Sequence, residues 1–248
     1  MDLVGGNETE EFGAGFDVFK KRANYLRDNN IVDPTWLSGF EKRSREGIEE
    51  LVVDNIFFNI FNLMSELKVK DSFFLDIGSG ASKLTDLITK YCVKSKLHHV
   101  LNDSEEVLNF AEVSENRTFI KGNFLDNIQI FKRFKPNLRV ILGYSVLQYI
   151  FADNSQKIFF EKIIEIMNDE CILYLGDIPN YDMRNRARIK AGLKIEHDPL
   201  RLIGDQELIE IYDFFSKKGY NVFMLPQSRE LPLSNHRIDI LIGKPRSY

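Results

Sequence analysis

Between residues 73 and 176, short apolar runs alternate with stretches whose apolar positions recur every three or four residues. The runs at 73–77, 98–102, 118–121, 139–143 and 171–176 predict buried strands, and the periodic stretches at 82–93, 105–113 and 154–167 predict helices. Asp153 and Gln156 are spaced as a capping box ahead of the last of these. Strand–helix alternation predicts an α/β fold: a Rossmann-like, mostly parallel sheet, wound by right-handed crossovers with helices on both faces. The texture changes at both ends. Residues 16–27 carry a mixed helical pattern, interrupted by Asp33-Pro34. A long helix is expected over 44–68, where Ile48, Leu51, Val52, Ile56, Ile60, Leu63, Met64 and Leu67 share one face. Residues 180–203 are polar and basic with weak periodicity, and 205–218 predict a helix closed by Gly219. Strands at 220–225 and 237–242 are joined by a loop too short for a crossover helix, so they should form an antiparallel hairpin. The expected division is a helical lid segment over 1–69 and a core over 70–248, within one structural domain.

Composition narrows this little. At 248 residues, 44% hydrophobic and 28% charged, the chain reads as a globular protein with a full core. The net charge of −4 argues against a broad nucleic-acid surface. The first residues show no basic stretch followed by an apolar one, and no apolar run approaches the ~20 residues of a membrane span. A cytoplasmic protein with no membrane contact is expected. Cys92 and Cys171 sit in apolar runs and read as buried, reduced thiols. His98, His99 and His197 show no partner pattern and read as structural or surface; no metal site is expected.

The candidate chemistry begins where the strand at 73–77 runs into Gly78-Ser79-Gly80. Glycines there allow a tight turn and close approach of a ligand to backbone, and the following helix offers unpaired N–H groups. A dinucleotide fingerprint needs a third glycine where Lys83 stands. A phosphate-binding loop needs Gly-Lys-Ser/Thr, whereas the run is Ser82-Lys83-Leu84. Asp76, two residues before the glycines, would repel a pyrophosphate and suits a ligand carrying positive charge.

With these residues in view, the sequence resembles the class I S-adenosylmethionine-dependent methyltransferases, by motif over about 70–178 and by architecture throughout. Phe74-Leu75-Asp76-Ile77-Gly78-Ser79-Gly80 is similar to the family's first motif, with Ser82 at the usual third glycine. The resemblance implies that Asp76 organises the methionine amino end and that the backbone of Gly78, Ser79 and Gly80 wraps it. At the second strand's end it implies a ribose-binding acidic residue, either Asp103 or, in the standard register, Asn102. Gly122-Asn123-Phe124-Leu125-Asp126 resembles the third motif, with Asn123 reading the adenine amine and Phe124 against the ring. Residues 141–150 resemble the fourth, placing Gly143 and Tyr144 beside the sulfonium and the acceptor.

For the acceptor, Asp177 follows the fifth strand at the same edge. Both Asp177 and His236, in the final loop, are candidate bases for a hydroxyl. Tyr149, Asn180, Arg184 and Arg188 are candidate substrate contacts, the arginines as a clamp for phosphate or carboxylate. The N-terminal helices, with Tyr25, Arg27 and Trp36, would close the site against water. Looser similarity of Gly176-Asp177-Ile178-Pro179-Asn180, Leu231-Pro232 and 237–240 to methyltransferases of bacterial surface-polysaccharide biosynthesis implies a small polar acceptor: a sugar, or a phosphorylated or nucleotide-linked precursor. Competing expectations are a protein or RNA acceptor, a non-catalytic S-adenosylmethionine-binding subunit, and a dehydrogenase. Oligomerisation is compatible with all of them.

Overall fold

The computed structural model describes residues 17–31, 49–63, 71–195, 203–231 and 233–245. At its centre is a seven-stranded sheet built from β1 Ser72–Ile77, β2 Leu97–Asp103, β3 Arg117–Lys121, β4 Leu138–Tyr144, β5 Ile172–Pro179, β6 Asn221–Pro226 and β7 Arg237–Gly243. The strand order is β3-β2-β1-β4-β5-β7-β6. β1 to β5 pair in parallel, and β7 lies antiparallel between β5 and β6. A doubly wound dinucleotide fold has the order 3-2-1-4-5-6, all parallel; here a reversed strand enters that order between the fifth and sixth. The order switches direction between β1 and β4, where open α/β sheets bind ligands at the carboxyl edge.

The helices are α1 Asp17–Asp28, α2 Glu49–Leu63, α3 Lys83–Ser95, α4 Glu105–Leu108, α5 Ile128–Phe131, α6 Leu147–Ala152, α7 Gln156–Ile166, α8 Tyr181–Lys190 and α9 Asp205–Ser216. Because successive strand residues point to opposite faces, the apolar strands feed two cores. Leu75, Ile77, Ile141 and Leu173 pack beneath α7 and α9 with Phe159, Phe160 and Phe215. Phe74, Val140, Leu142 and Tyr174 pack beneath α2 and α3 with Ile56, Ile60, Leu84 and Ile88. Cys92 and Cys171 are both buried free thiols, and burial raises the pKa of each.

The hairpin, the parallel core and the element order follow the sequence pattern, with several departures. The helix expected over 105–113 stops at Leu108, where Asn109 to Ala111 turn the chain away. The capping box at Asp153 does not form. Asp153 ends α6, donating its N–H to Tyr149 O, and Asn154 takes a left-handed φ of 52° before α7 starts at Gln156. The box forms instead at Ser82 and Thr85, which cap α3. Finally, α8 emerges from the basic run, with no buried residue and hence no apolar period to announce it. The outer parts of the helix expected over 44–68 fall outside the described residues, as do Trp36 and His197. Among the described residues no helix is long and apolar enough to cross a membrane.

Candidate active site

The carboxyl edge of β1 is shaped by its glycines. Gly78 and Gly80 adopt φ of +64° and +63°, a region where a side chain is strained. Gly78 N and Ser79 N donate to Asn102 O at 2.8 and 3.2 Å, folding the loop onto β2. A methyl at Gly78 would lie 2.6 Å from Val146 Cγ2, so the loops after β1 and β4 touch there; a methyl at Gly80 would meet nothing within 4 Å. Ser82 sits at an extended φ of −125° and caps α3, which explains why no third glycine is needed. Thr85 Oγ1 donates to Ser79 O at 2.7 Å and anchors the loop's far side. The loop is therefore fixed at both ends, with the face of Gly80 open.

At the tip of β2, two adjacent polar residues are given different tasks. The Asn102 amide is buried and donates to Ile120 O and Gly122 O at 2.8 and 2.9 Å, pinning β3 to β2. Asp103 turns toward the glycine loop. One carboxylate oxygen accepts from Gly80 N at 2.9 Å and the other from Ser104 N at 2.7 Å. A carboxylate has about four lone-pair directions, so two stay available for a ligand with paired hydroxyls. Burial pushes this carboxyl up to about 6, against the pull of the two N–H groups. Asp76, at the end of β1, is buried and faces His99 Nε2 at 3.6 Å; burial raises its pKa as well, and the histidine opposes the rise. Two carboxylates beside the loop make it a poor seat for pyrophosphate and a good one for a cation with a diol. Among the described residues no cluster of His, Cys, Asp and Glu could hold a metal ion.

The third motif is split by the fold. Asn123 is exposed after β3, with Oδ1 accepting from Leu125 N at 2.9 Å. The ring of Phe124 is a correction to the sequence expectation: it is 1% exposed and packs on Phe131 and Phe159, so it is not free to lie against a ligand. Its apolar bulk serves the core at the start of a 3-10 turn, Phe124–Asn127. Gly143 and Tyr144 end β4 beside β1, both buried. A methyl at Gly176 on β5 would collide with Tyr144 Cδ2 at 2.6 Å, so that glycine admits the Tyr144 ring.

Next to Tyr144 the chain builds a polar cluster that sequence reasoning largely missed. Asp177 lies within β5, at a bulge between Leu175 and Ile178 in the pairing with β7. Bulges re-aim side chains, and Asp177 takes a φ of 55°; Ser145, after β4, takes 57°. Ser145 Oγ donates to Asp177 Oδ2. Arg237 Nη1 donates to Asp177 O at 3.0 Å and lies 3.5 Å from its Oδ2. Beneath, Asp239 accepts from Asp177 N at 2.9 Å, Tyr174 Oη at 2.7 Å, Asn59 Nδ2 at 2.9 Å and Gln227 Nε2 at 3.2 Å. The sequence signal was there in Asp239, an acidic residue between Ile238 and Ile240 of β7. Ser145 offered none beyond following Gly143-Tyr144.

The remaining candidates scatter. His236 sits in a short turn before β7, its Nδ1 2.8 Å from Asn235 Oδ1 and its carbonyl accepting from Asn180 N. Asn180 is a second correction: it is wholly buried and caps α8, with Oδ1 accepting from Met183 N and Nδ2 donating to Asp205, so its amide is consumed by the fold. Arg184 and Arg188 lie on α8; Arg188 Nε donates to Lys194 O at 2.8 Å. Arg186, between them, pairs with Asp205 at 2.7 Å. Tyr149 on α6 meets Phe19 of α1 edge-to-face, with centroids 5.4 Å apart. Helix α1 also packs Ala23 and Leu26 against Ala81, directly behind the glycine loop, and Val107 of α4.

Solved structures share this architecture. The chain is similar to the methyltransferase domain of bacterial CtHen1 (15% identity, 77% of this chain and 99% of that one, TM-score 0.55). It is similar to the plantazolicin methyltransferase BpumL in complex with a triazolic desmethylPZN analogue and SAH (14%, 93% and 100%, TM-score 0.55). It is also similar to DhpI in a complex with SAM and HEP (9%, 96% and 99%, TM-score 0.54). The fold is that of the S-adenosylmethionine-dependent methyltransferases. No protein-family model and no curated protein sequence matches the chain.

Proposed function

We propose that the chain is an S-adenosylmethionine-dependent methyltransferase acting on a hydroxyl of a small polar acceptor. The observation that carries the reading is Asp103, held by Gly80 N–H and Ser104 N–H with lone pairs to spare, opposite an open glycine loop. In this reading Asp103 accepts from the two ribose hydroxyls, and Asn102, committed to β3, takes no part. The backbone of Gly78, Ser79 and Gly80 holds the amino-acid end beside Asp76, and Asn123 lies toward the adenine. Gly143 and Tyr144 flank the sulfur. Bound there, the cofactor supplies an electrophilic methyl group on sulfonium. Alignment of acceptor and methyl then provides much of the rate.

Asp177 is the base in this scheme, reached through Ser145: the acceptor hydroxyl donates to Ser145 Oγ, whose own proton is already directed at Asp177. Arg237 holds that residue in place, donating to Asp177 O and lying 3.5 Å from its Oδ2. His236 is the second candidate, nearer the mouth of α8. Arg184 and Arg188 favour an acceptor bearing phosphate or carboxylate, consistent with a sugar precursor, and Tyr149 closes that side. α1, seated on Ala81 and Tyr149, serves as a lid that excludes water.

Calorimetry with SAH tests the reading. The protein should bind SAH and not NAD. Asp103→Ala should weaken SAH by about ten- to a hundred-fold, the worth of about 1.5–3 kcal/mol for hydrogen bonds to a charged group. Binding of NAD without SAH, or unchanged affinity in the variant, overturns it.

A further inference from the structure

The basic side chains of α1 do not share one environment. Lys20, Lys21 and Arg27 are exposed, with Lys20 Nζ 3.5 Å from Glu106 Oε1 and Arg27 paired with Asp28. Arg22 is only 8% exposed and stands in the buried stripe of the helix with Val18, Ala23 and Leu26. Spacings of three and four residues set that stripe on one side of the helix. Its neighbours along the stripe fix its place. Phe19, one turn before, meets Tyr149 of α6, and the Arg22 guanidinium carbon is 5.3 Å from the centroid of the Phe19 ring. Ala23 and Leu26 pack with Ala81, the residue that follows the glycine loop. Arg22 therefore stands between Tyr149 and Ala81, above the line where the loops after β1 and β4 touch at Gly78 and Val146.

Burying a guanidinium is costly, and an aliphatic side chain would serve packing here without that cost. The surroundings of Arg22 lower its pKa: burial drives the shift and Tyr149 opposes it only in part. The amino-acid end assigned to the glycine loop carries two opposite charges on one carbon, an ammonium group and a carboxylate. Asp76 and Asp103 suit the first and repel the second. From this placement we infer that Arg22 receives the carboxylate of the cofactor. Its planar fork of five N–H donors matches the two oxygens of a carboxylate, and that many donors leave room for the ligand beside contacts within the protein. The inference rests on the methyltransferase reading, which supplies the ligand, and adds to it the residue that recognises the acidic end. It also makes α1 part of the binding site and not only its cover.

Calorimetry with two ligands tests it. SAH carries both charges, whereas S-adenosyl-3-thiopropylamine keeps the nucleoside, the sulfur and the ammonium group and lacks only the carboxylate. The unaltered protein should bind SAH about ten- to a hundred-fold more tightly than the second ligand. Arg22→Met keeps an apolar side chain of similar reach without the charge. It should bring the two affinities within about twofold of each other by weakening SAH alone. Equal affinities in the unaltered protein, a preference for SAH that survives in Arg22→Met, or equal weakening of both ligands overturns the inference and leaves the functional reading standing. If the unaltered protein binds neither ligand, both fall. Should Arg22→Met not fold, the question is put to the unaltered protein labelled with 15N-arginine, the Arg22 signal being assigned by its loss in Arg22→Lys. SAH should move the Nε resonance of Arg22 farther than S-adenosyl-3-thiopropylamine does; equal movement, or none, overturns the inference.

Discussion

Gly78 and Gly80 look interchangeable in the sequence and are not so in the fold. Both have positive φ, but only Gly78 faces a wall, Val146 at 2.6 Å from a built methyl. Gly78→Ala should therefore cost both strain and a steric shift, about 2–3 kcal/mol, read as a lowered urea midpoint. Gly80→Ala should cost about 1 kcal/mol and act mainly on SAH affinity, since its open face is where the ligand's backbone contact is proposed. The reverse ranking would argue that the ligand lies elsewhere. Asp103 adds a pH prediction. Its carboxyl titrates at about 6, and a protonated oxygen loses the capacity to accept from both hydroxyls. SAH affinity should be flat above that pH and fall by up to about tenfold per unit below it. Isothermal titration between pH 5 and 8 would show the bend, and a flat profile would remove Asp103 from the ribose role. At this scale the sequence was partly legible. The order of Asp76 and the glycines set them at the end of the first strand, but the sequence left Asn102 and Asp103 level, and the proposal for Asp103 rests on the fold. Only the fold shows that one amide is spent on Ile120 O and Gly122 O.

At the scale of elements, period was a good guide where burial was one-sided or complete, and a poor one elsewhere. The strands lie within a residue or two of their expected limits, save β5, which runs on past the expected residue 176 to Pro179. Its bulge at Asp177 lets the strand continue past the point where pairing changes partner geometry. α8 showed no apolar period because it buries nothing, and α6 showed none because its six residues span less than two turns. Asn102 belongs to this scale as a staple between β2 and β3. Asn102→Ala would remove the hydrogen bonds to Ile120 O and Gly122 O and should destabilise the protein by about 1–3 kcal/mol, seen as a lower urea midpoint, while SAH affinity changes far less than in Asp103→Ala. Loss of SAH binding with unchanged stability would reverse the roles given to the two residues.

For the whole molecule, a ligand that binds only the folded state should raise its melting point. SAH at a hundred times its dissociation constant contributes about 2.7 kcal/mol, which for a chain of this length is about 5–10 °C. NAD at the same excess should shift nothing. Differential scanning fluorimetry gives the answer in one plate. Strand–helix alternation anticipated the mostly parallel sheet, and the short loop between the last two strands anticipated the antiparallel hairpin. Neither pattern could anticipate how the reversed strand would be used.

That reversal has a consequence for how the protein comes into being. β7 follows every other described strand in chain order and starts at the edge where the parallel strands finish, so Arg237 and Asp239 reach Asp177 from the far end of the polypeptide. During synthesis the glycine loop and the tip of β2 can close early, whereas Asp177 lacks Arg237 and Asp239 until nearly the whole chain has emerged. The side of the sheet edge at β1 and β2 is thus the elder, and the polar cluster around Asp177 is completed last.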